Sequence, residues 1–318
     1  MCYSAQLKAE WATYLRHGGR LGLVEFERLY GYKFDFPTRV RTPKAMDAWF
    51  DTAEGPDAAR IRELIASVSK HQAERLEQEL FKQRKRLADA ERTLQTKTTK
   101  KALEDQRIAG EKVSKILRDL EDLKRTEFKN RDARFFPGNY APVMVWEDGQ
   151  RVIKPMRYQC RLPGWNEVVE RKYPGTYNAR RDNIEKTWKD LFGHRHGVIV
   201  VNAFYENVER HNMEHRELRE GEASENVVLE FRPRPAQDMV IACLWNDSPD
   251  GDRRLLSFAA ITDEPAPEVA AAGHDRTIIQ IKPEHIDAWL TPEGRSVEEL
   301  QAILDDRPEA YYEHRLAA

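Results

Sequence analysis

The pattern of apolar and polar positions changes twice along the chain. Residues 57–130 hold almost no Pro or Gly, and leucines recur at helical spacing among dense Lys, Arg, Glu and Asp. Such stripes, at Leu76–Leu94 and Val113–Leu123, indicate amphipathic helices. We predict two long helices with a turn between Thr96 and Gly110, folded back as an antiparallel hairpin with a narrow apolar seam.

Residues 1 to about 55 have a mixed pattern that suggests short helices and a loop, whereas the chain from Phe135 onward has the pattern of a sheet protein. Asp148-Gly149, between two apolar runs, predicts a tight β-hairpin. Other apolar runs predict strands at 197–201, 227–231, 239–245, 255–261 and 277–281, and helix-start residues predict helices at 184–191, 285–290 and 297–304. Because few of the strands alternate with helices, we predict an α+β fold with a mainly antiparallel, barrel-like sheet and flanking helices.

These patterns divide the chain into three parts. Residues 1–56 are predicted to form the N-terminal part of the main domain, 57–130 the inserted helical hairpin, and 131–318 the main part of the same domain. The hairpin has two interpretations: a solvated arm, or a coiled coil that binds a protein partner or a second copy of the chain.

Composition narrows the classes of function. The formal net charge of -2 argues against a protein that coats duplex DNA non-specifically, although it allows a local basic groove. Three cysteines, Cys2, Cys160 and Cys243, do not resemble a disulfide framework and indicate a reducing compartment. We find neither a signal peptide nor a membrane span, so we expect a cytoplasmic protein without membrane contact.

Cys2 occupies a special position for a thiol. Removal of Met1 would leave an α-amine and a thiol on one residue, and an α-amine titrates near neutral pH. Together they can trap an aldehyde, since the amine forms an imine and the sulfur closes a thiazolidine ring. An incidental terminal cysteine is the alternative.

Three internal elements carry further candidate groups. Asn178-Ala179-Arg180 precedes a predicted helix, and Arg180 can bind a phosphate. Glu206 follows the predicted strand 197–201, where burial would raise its pKa and suit proton transfer. His274-Asp275-Arg276 precedes another strand and offers an acid–base group. Each element is weak alone.

A metal or other cofactor is not predicted. His211 and His215 have the i, i+4 spacing of zinc ligands, but no third ligand stands nearby and the zinc-protease order is absent.

Taken together, the ordered elements resemble the SRAP family, named for SOS-response-associated peptidases. The connecting segments are also similar to that family: Asn139-Tyr140-Ala141-Pro142, Met156-Arg157-Tyr158, Leu162-Pro163-Gly164-Trp165 and Ala242-Cys243-Leu244-Trp245. The resemblance implies the family's fold, with the helical hairpin as an addition, and covalent capture of abasic sites in single-stranded DNA during the DNA damage response.

The resemblance also implies a role for each candidate residue. Cys2 would be the nucleophile, Asn178 would orient it and the sugar, Glu206 would shuttle protons, and His274 would act as acid and base during ring opening. Lyase activity toward the sugar is a further implied possibility, and removal of Met1 would be self-catalysed or left to a host aminopeptidase.

The DNA contacts follow from the same resemblance. Arg180 and Arg276 would bind backbone phosphates in a positive groove, with Arg157 nearby, while Tyr158 or Trp165 would stack on a base. On DNA the protein would be associated with the nucleoid.

The chain departs from the family at several positions. Tyr3-Ser4 replaces the usual Gly-Arg after the cysteine, Tyr158 replaces a Trp, and Asp182 replaces a Glu. Two other functions therefore stay open: a thiol peptidase or autopeptidase that uses Cys2 with His274 as base, and a non-catalytic DNA-associated adaptor.

Overall fold

The computed structural model describes residues 4–7 and 12–317. The strands are β1 (Ser4–Leu7), β2 (Arg20–Leu21), β3 (Arg134–Phe135), β4 (Tyr140–Glu147), β5 (Gln150–Tyr158), β6 (Asn178–Arg180), β7 (His196–Glu209), β8 (Asn226–Arg234), β9 (Met239–Asp250), β10 (Arg253–Asp263), β11 (Thr277–Ile278) and β12 (Tyr311–Leu316). The α-helices are α1 (Ala12–Arg16), α2 (Leu23–Asp35), α3 (Lys44–Asp47), α4 (Trp49–Thr52), α5 (Pro56–Thr96), α6 (Lys100–Lys124), α7 (Glu167–Lys172), α8 (Ile184–Thr187), α9 (Arg210–Met213), α10 (Pro267–Ala271), α11 (Ile286–Leu290) and α12 (Val297–Asp305). Short 3-10 helices span Asn130–Ala133, Arg181–Asn183 and Pro283–His285.

Five strands close into a barrel. Strand β10 pairs with β5, β5 with β4, β4 with β7, β7 with β9, and β9 returns to β10. The β10–β5 pair is parallel and the other four are antiparallel. Closure leaves these strands without an exposed edge. The prediction of an α+β fold with a mainly antiparallel, barrel-like sheet is confirmed.

The β4–β5 hairpin forms where Asp148-Gly149 predicts it. Glu147 pairs with Gln150 across a two-residue turn. Asp148 and Gly149 have φ angles of 49° and 76°. A type I′ turn requires positive φ at both central positions, which Asp-Gly tolerates better than most pairs.

The helical hairpin is also confirmed. Helices α5 and α6 join through Lys97–Thr99, inside the predicted interval, and the Thr99 hydroxyl caps α6 by accepting a hydrogen bond from the Ala102 amide. The seam between the helices is narrow and contains the buried residues Ala90, Ala102, Ala109, Ile116 and Leu120. The first turns of α5 instead place Ala58 and Ile61 in the core of the main domain.

Some predicted boundaries are wrong. Strand β7 continues to Glu209, well past the predicted end at 201, while β11 stops at Ile278 and α8 stops at Thr187. Within the described residues, no helix combines the length and the apolar character needed to cross a bilayer.

Candidate active site

Glu206 lies inside a strand rather than at its end. The first half of β7 pairs with β9, and the second half leaves the barrel to pair with β1 and β8. On this second half, Phe204, Glu206 and Val208 share one buried face; on the opposite face Tyr205 is also buried, while Asn207 and Glu209 are exposed. The twofold alternation of a strand therefore turns Glu206 inward, and its side chain is 0% exposed.

His274 reaches this carboxylate from the loop after α10. Its Nε2 lies 3.4 Å from Oε2 of Glu206. The preceding Gly273 has a φ of +88°, and a Cβ there would stand 2.9 Å from Asn212 Cβ and 3.0 Å from Val208 Cγ1. Glycine thus allows the loop to pass close to β7, which brings the imidazole to Glu206.

The imidazole of His274 can exchange a proton with Glu206. Burial lowers the pKa of His274 to about 4, so the ring is neutral near pH 7. Its Nδ1 lies 2.9 Å from the Arg276 carbonyl oxygen and 3.3 Å from the Arg276 amide nitrogen. One tautomer donates from Nδ1 to the carbonyl, and the other accepts from the amide and leaves a proton on Nε2, facing Glu206.

The segments Asn178–Arg180 and His274–Arg276 converge at one end of β10. Strand β6 pairs with β10 in parallel, Arg180 opposite Thr262, and on the other side of Thr262 lies Ile278 of β11. Asp182 joins the two segments, because its Oδ2 lies 2.7 Å from Nη2 of Arg180 and 3.4 Å from Nη2 of Arg276. The structure therefore brings the two predicted phosphate-binding arginines together.

The guanidinium of Arg276 has N–H groups that make no hydrogen bond to a described residue. Only 9% of its side chain is exposed, and its Nη1 lies 3.8 Å from Oε1 of Glu264. Within residues 4–7 and 12–317, its Nε and Nη1 have no hydrogen-bond partner. Buried donors of this kind are costly unless an acceptor reaches them, and a phosphate oxygen is a suitable acceptor.

Tyr158 cannot stack on a base, which corrects the expectation from sequence. Its ring is 2% exposed and contacts Phe135 and Phe258 at centroid distances of 5.4 and 5.1 Å. The ring therefore belongs to the core, and its hydroxyl lies 3.4 Å from Oδ1 of Asn178.

The other two predicted DNA contacts lie elsewhere. Arg157 forms an ion pair with the buried Glu170 and donates to the Gln159 carbonyl at 3.1 Å. Half-buried Trp165 contacts Tyr173 and lines a separate cleft of about 680 Å³ beside the turn between β9 and β10. The structure does not bring either residue to the Glu206–His274 pair.

Cys2 lies outside the described residues, and the nearest described position is Ser4. Ser4 is fully buried and pairs with Tyr205, the neighbour of Glu206. Arg134 Nε donates to the Ser4 hydroxyl at 2.9 Å, and its guanidinium lies 3.8 Å from the centroid of the Tyr205 ring. Sequence reasoning missed Arg134, because only the pairing of β3 with β1 brings it there.

The remaining candidates have structural roles. Helix α9 ends at Met213, before His215, so the helical spacing that would suit zinc is not formed by His211 and His215. Cys160 and Cys243 are buried thiols without a disulfide, and burial raises the pKa of both, that of Cys160 to about 12. Neither thiol is a nucleophile near neutral pH.

Comparison with models of protein families gives a match. A model of the SRAP family, described as SOS response associated peptidase, matches residues 92–316. The chain belongs to the SRAP family. The match begins near the end of α5 and includes all of α6 as well as the barrel. The resemblance stated from the motifs is thus confirmed, and the chain is a member of a peptidase family named for the response to DNA damage.

Crystal structures of three bacterial proteins are similar to this SRAP chain. One, from Bordetella bronchiseptica, is 17% identical with a TM-score of 0.48, covering 61% of this chain and 90% of its own. Another, from Bacteroides thetaiotaomicron, is 13% identical with a TM-score of 0.46, covering 58% and 78%. The third is a phage-related protein of B. bronchiseptica, 16% identical with a TM-score of 0.43, covering 61% and 85%. No curated protein matches the chain.

Proposed function

We propose that this SRAP protein captures abasic sites in single-stranded DNA covalently, through the α-amine and thiol that Cys2 presents after Met1 is removed. The contact between His274 and Glu206, 3.4 Å apart and both buried, carries the proposal. Imine and thiazolidine formation need proton transfers at the amine, the sugar oxygen and the sulfur. A neutral imidazole beside a carboxylate supplies them near neutral pH.

The length of the chain allows the nucleophile to meet this pair. Ser4 is held opposite Tyr205, one residue from Glu206. Two residues of extended chain span at most about 7 Å, a length that supports an approach of the Cys2 amine and thiol to the carboxylate.

The reaction balances without a cofactor. The ring-opened sugar presents an aldehyde, and the Cys2 amine adds to its carbon to give a carbinolamine. Protonation of the hydroxyl and loss of the amine proton release one water and leave an imine. The thiolate then attacks the imine carbon, and the nitrogen takes up the thiol proton. His274 and Glu206 would pass these protons in turn, and Asn178 would orient the sugar.

The arginines at the end of β10 support a DNA substrate. Arg180 is exposed, and Arg276 has buried donors suited to an anion. Their shared partner Asp182 is half exposed and can be displaced by a phosphate oxygen. Two guanidinium groups in one place can hold the backbone of a single strand beside its abasic site.

Two variants of one residue test the proposal. Wild-type protein, mixed with a single-stranded oligonucleotide that carries one abasic site, is expected to give a slower band on a denaturing gel. Cys2→Ser keeps an α-amine but lacks the thiol, so we expect a band only after borohydride reduction of the imine. A stable wild-type band that persists in Cys2→Ser without reduction would contradict thiazolidine formation.

The family description favours a second candidate function, a peptidase. Cys2 would then attack a peptide carbonyl with His274 as the base. Cleavage of a peptide by the wild type, lost in Cys2→Ser and accompanied by no DNA band, would support this candidate instead.

A further inference from the structure

The distal half of the helical hairpin carries a concentrated positive charge. Residues 82–107 contain nine Lys and Arg but four Asp and Glu, a net charge of +5. The other 292 residues contain 43 against 50, a net charge of -7. The proximal parts of the hairpin, 56–81 and 108–124, together have a net charge of -1. The charge therefore belongs to the tip and not to the hairpin as a whole.

Most of these cations are not neutralised by neighbours. Arg86 pairs with Asp105, Arg92 with Asp89, and Arg107 with Glu111. The other six are exposed and form no ion pair with any described residue: Lys82, Arg84, Lys85, Lys97, Lys100 and Lys101. A purely solvated arm has no need of such an imbalance, since alternating charges would solvate it equally well.

Part of this charge faces a groove. A groove of about 510 Å³ runs between α5 and α6 near the tip. Its charged lining has four cations and two carboxylates: Lys82, Lys85, Arg86, Lys101, Asp89 and Asp105. The N-terminus of α6, capped by Thr99, opens beside it. The negative end of α5 stands beside it, so the two helix dipoles largely cancel and the charge of the groove comes from its side chains.

The base of the hairpin is connected through β3 to β1, the strand that pairs with Tyr205 beside Glu206. Arg125, directly after α6, pairs with Asp132, and β3 follows at once and pairs with β1. Helix α5 contacts α2 through the rings of His71 and Phe34. From His71, α5 runs another 25 residues to Thr96, about 38 Å, which is the length of about 11 base pairs.

We propose that the tip of this hairpin binds the phosphate backbone of DNA that flanks the abasic site. The inference rests on the proposed function for the location of the lesion, but its charge argument is independent. A polyanion is the partner that this charge favours, because the groove has a net positive charge and its three lysines form no ion pair with a described residue.

The test separates the arm from the chemistry. One variant, Lys82→Gln with Lys85→Gln and Lys101→Gln, neutralises the groove. Its matched control, Lys70→Gln with Lys112→Gln and Lys115→Gln, removes the same charge from the proximal hairpin. Reversible binding is measured by fluorescence anisotropy on intact oligonucleotides of about 6 and about 30 nucleotides, both single-stranded and duplex, since a span of about 11 base pairs separates these lengths.

We expect the tip variant to bind the long oligonucleotide less tightly, and the control and the short oligonucleotide to be unaffected. Because the tip variant would neutralise three fewer phosphates on duplex DNA, its affinity change between 50 and 200 mM salt should be smaller by about 40-fold. Comparison of the single-stranded with the duplex oligonucleotides shows whether the tip prefers the duplex.

Two results would overturn the inference: equal losses of affinity in the tip and control variants, or unchanged binding of the tip variant to every DNA. The second would leave the hairpin with its two other interpretations, a solvated arm or a coiled coil that binds a protein. Crosslinking of the short abasic oligonucleotide by the tip variant reports on the Cys2 chemistry alone, so failure of that chemistry is distinguishable from failure of the arm.

Discussion

Glu206 and His274 meet with Oε2 and Nε2 3.4 Å apart, although one lies in β7 and the other in the loop after α10. Both are buried, and the lowered pKa of His274 keeps the imidazole neutral near pH 7. A contact of this kind has no evident purpose in packing, because an apolar pair would fill the space without the desolvation cost. The contact therefore supports the proposed role of the pair in proton transfer.

Replacing Glu206 should therefore slow the crosslinking reaction without unfolding the protein. We expect Glu206→Gln to reduce the single-turnover rate by about 10²–10⁴-fold, since a positioned proton-transfer group contributes about that much. The measurement is the rate of band formation with an abasic oligonucleotide. Glu209→Gln on the same strand is the control, because that side chain is 46% exposed.

Combining Glu206→Gln with His274→Gln tests whether the two act as a unit. Residues of one proton-transfer unit are non-additive, so the double variant should be little slower than the worse single variant. Fully additive losses would show that the two residues act separately.

Asp182 should restrain DNA binding. It holds both Arg180 and Arg276, so Asp182→Asn is expected to free two guanidinium groups for phosphates. We expect tighter binding to undamaged single-stranded DNA, with a slope of log affinity against log salt steeper by about 0.7–1.4. Fluorescence anisotropy titrations at several salt concentrations measure both the affinity and this slope. Asp190→Asn removes an exposed charge nearby, and an equal gain there would refute the specific role of Asp182.

Tyr158 should matter for stability rather than for base stacking. Truncating a fully buried aromatic ring costs about 3–5 kcal/mol, so Tyr158→Ala should lower the free energy of unfolding by about that amount. Urea unfolding measures it. Half-buried Trp165→Ala should cost less. Loss of DNA affinity in Tyr158→Ala with unchanged stability would revive the stacking hypothesis.

The buried imidazole of His274 predicts sensitivity to acid. Its pKa is about 4 in the folded protein against 6.5 for an ordinary histidine, so between these values the unfolded chain binds a proton that the folded chain does not. The contribution of His274 to the free energy of unfolding should therefore fall as the pH drops from 6.5 to 4, by about 2 kcal/mol at pH 5.

Urea unfolding at pH 7.5 and at pH 5 tests this contribution. His274→Gln should lose about 2 kcal/mol less than the wild type over that interval. His194→Gln, at an exposed position, should behave as the wild type does. Identical losses in all three proteins would show that His274 does not titrate abnormally.

Local patterns of sequence predicted much of the fold. The Asp-Gly turn, the helical hairpin and the helix predicted at 297–304 all form as expected, because each depends on residues close in sequence. The second half of β7 was missed, because Asn202, Glu206 and Asn207 interrupt the apolar run that predicted the strand.

Pairing between distant segments could not be read in the same way. The parallel pairing of β6 with β10, the strand β12, and the approach of Arg134 to Ser4 depend on contacts across more than 70 residues. Local propensity carries no information about such pairs. The wrong expectation for Tyr158 has the same cause, since an aromatic residue fits a core and a binding surface equally well.

The mass of the protein–DNA adduct tests the central claim most directly. The protein is allowed to react with an abasic single strand and is then digested with nuclease and protease. The modified N-terminal peptide should lack Met1 and carry the sugar remnant on Cys2. Its mass should equal that of the Met1-free peptide plus that of the aldehyde form of the remnant, less one water. A remnant on any other residue, or an unmodified peptide that retains Met1, would contradict the account.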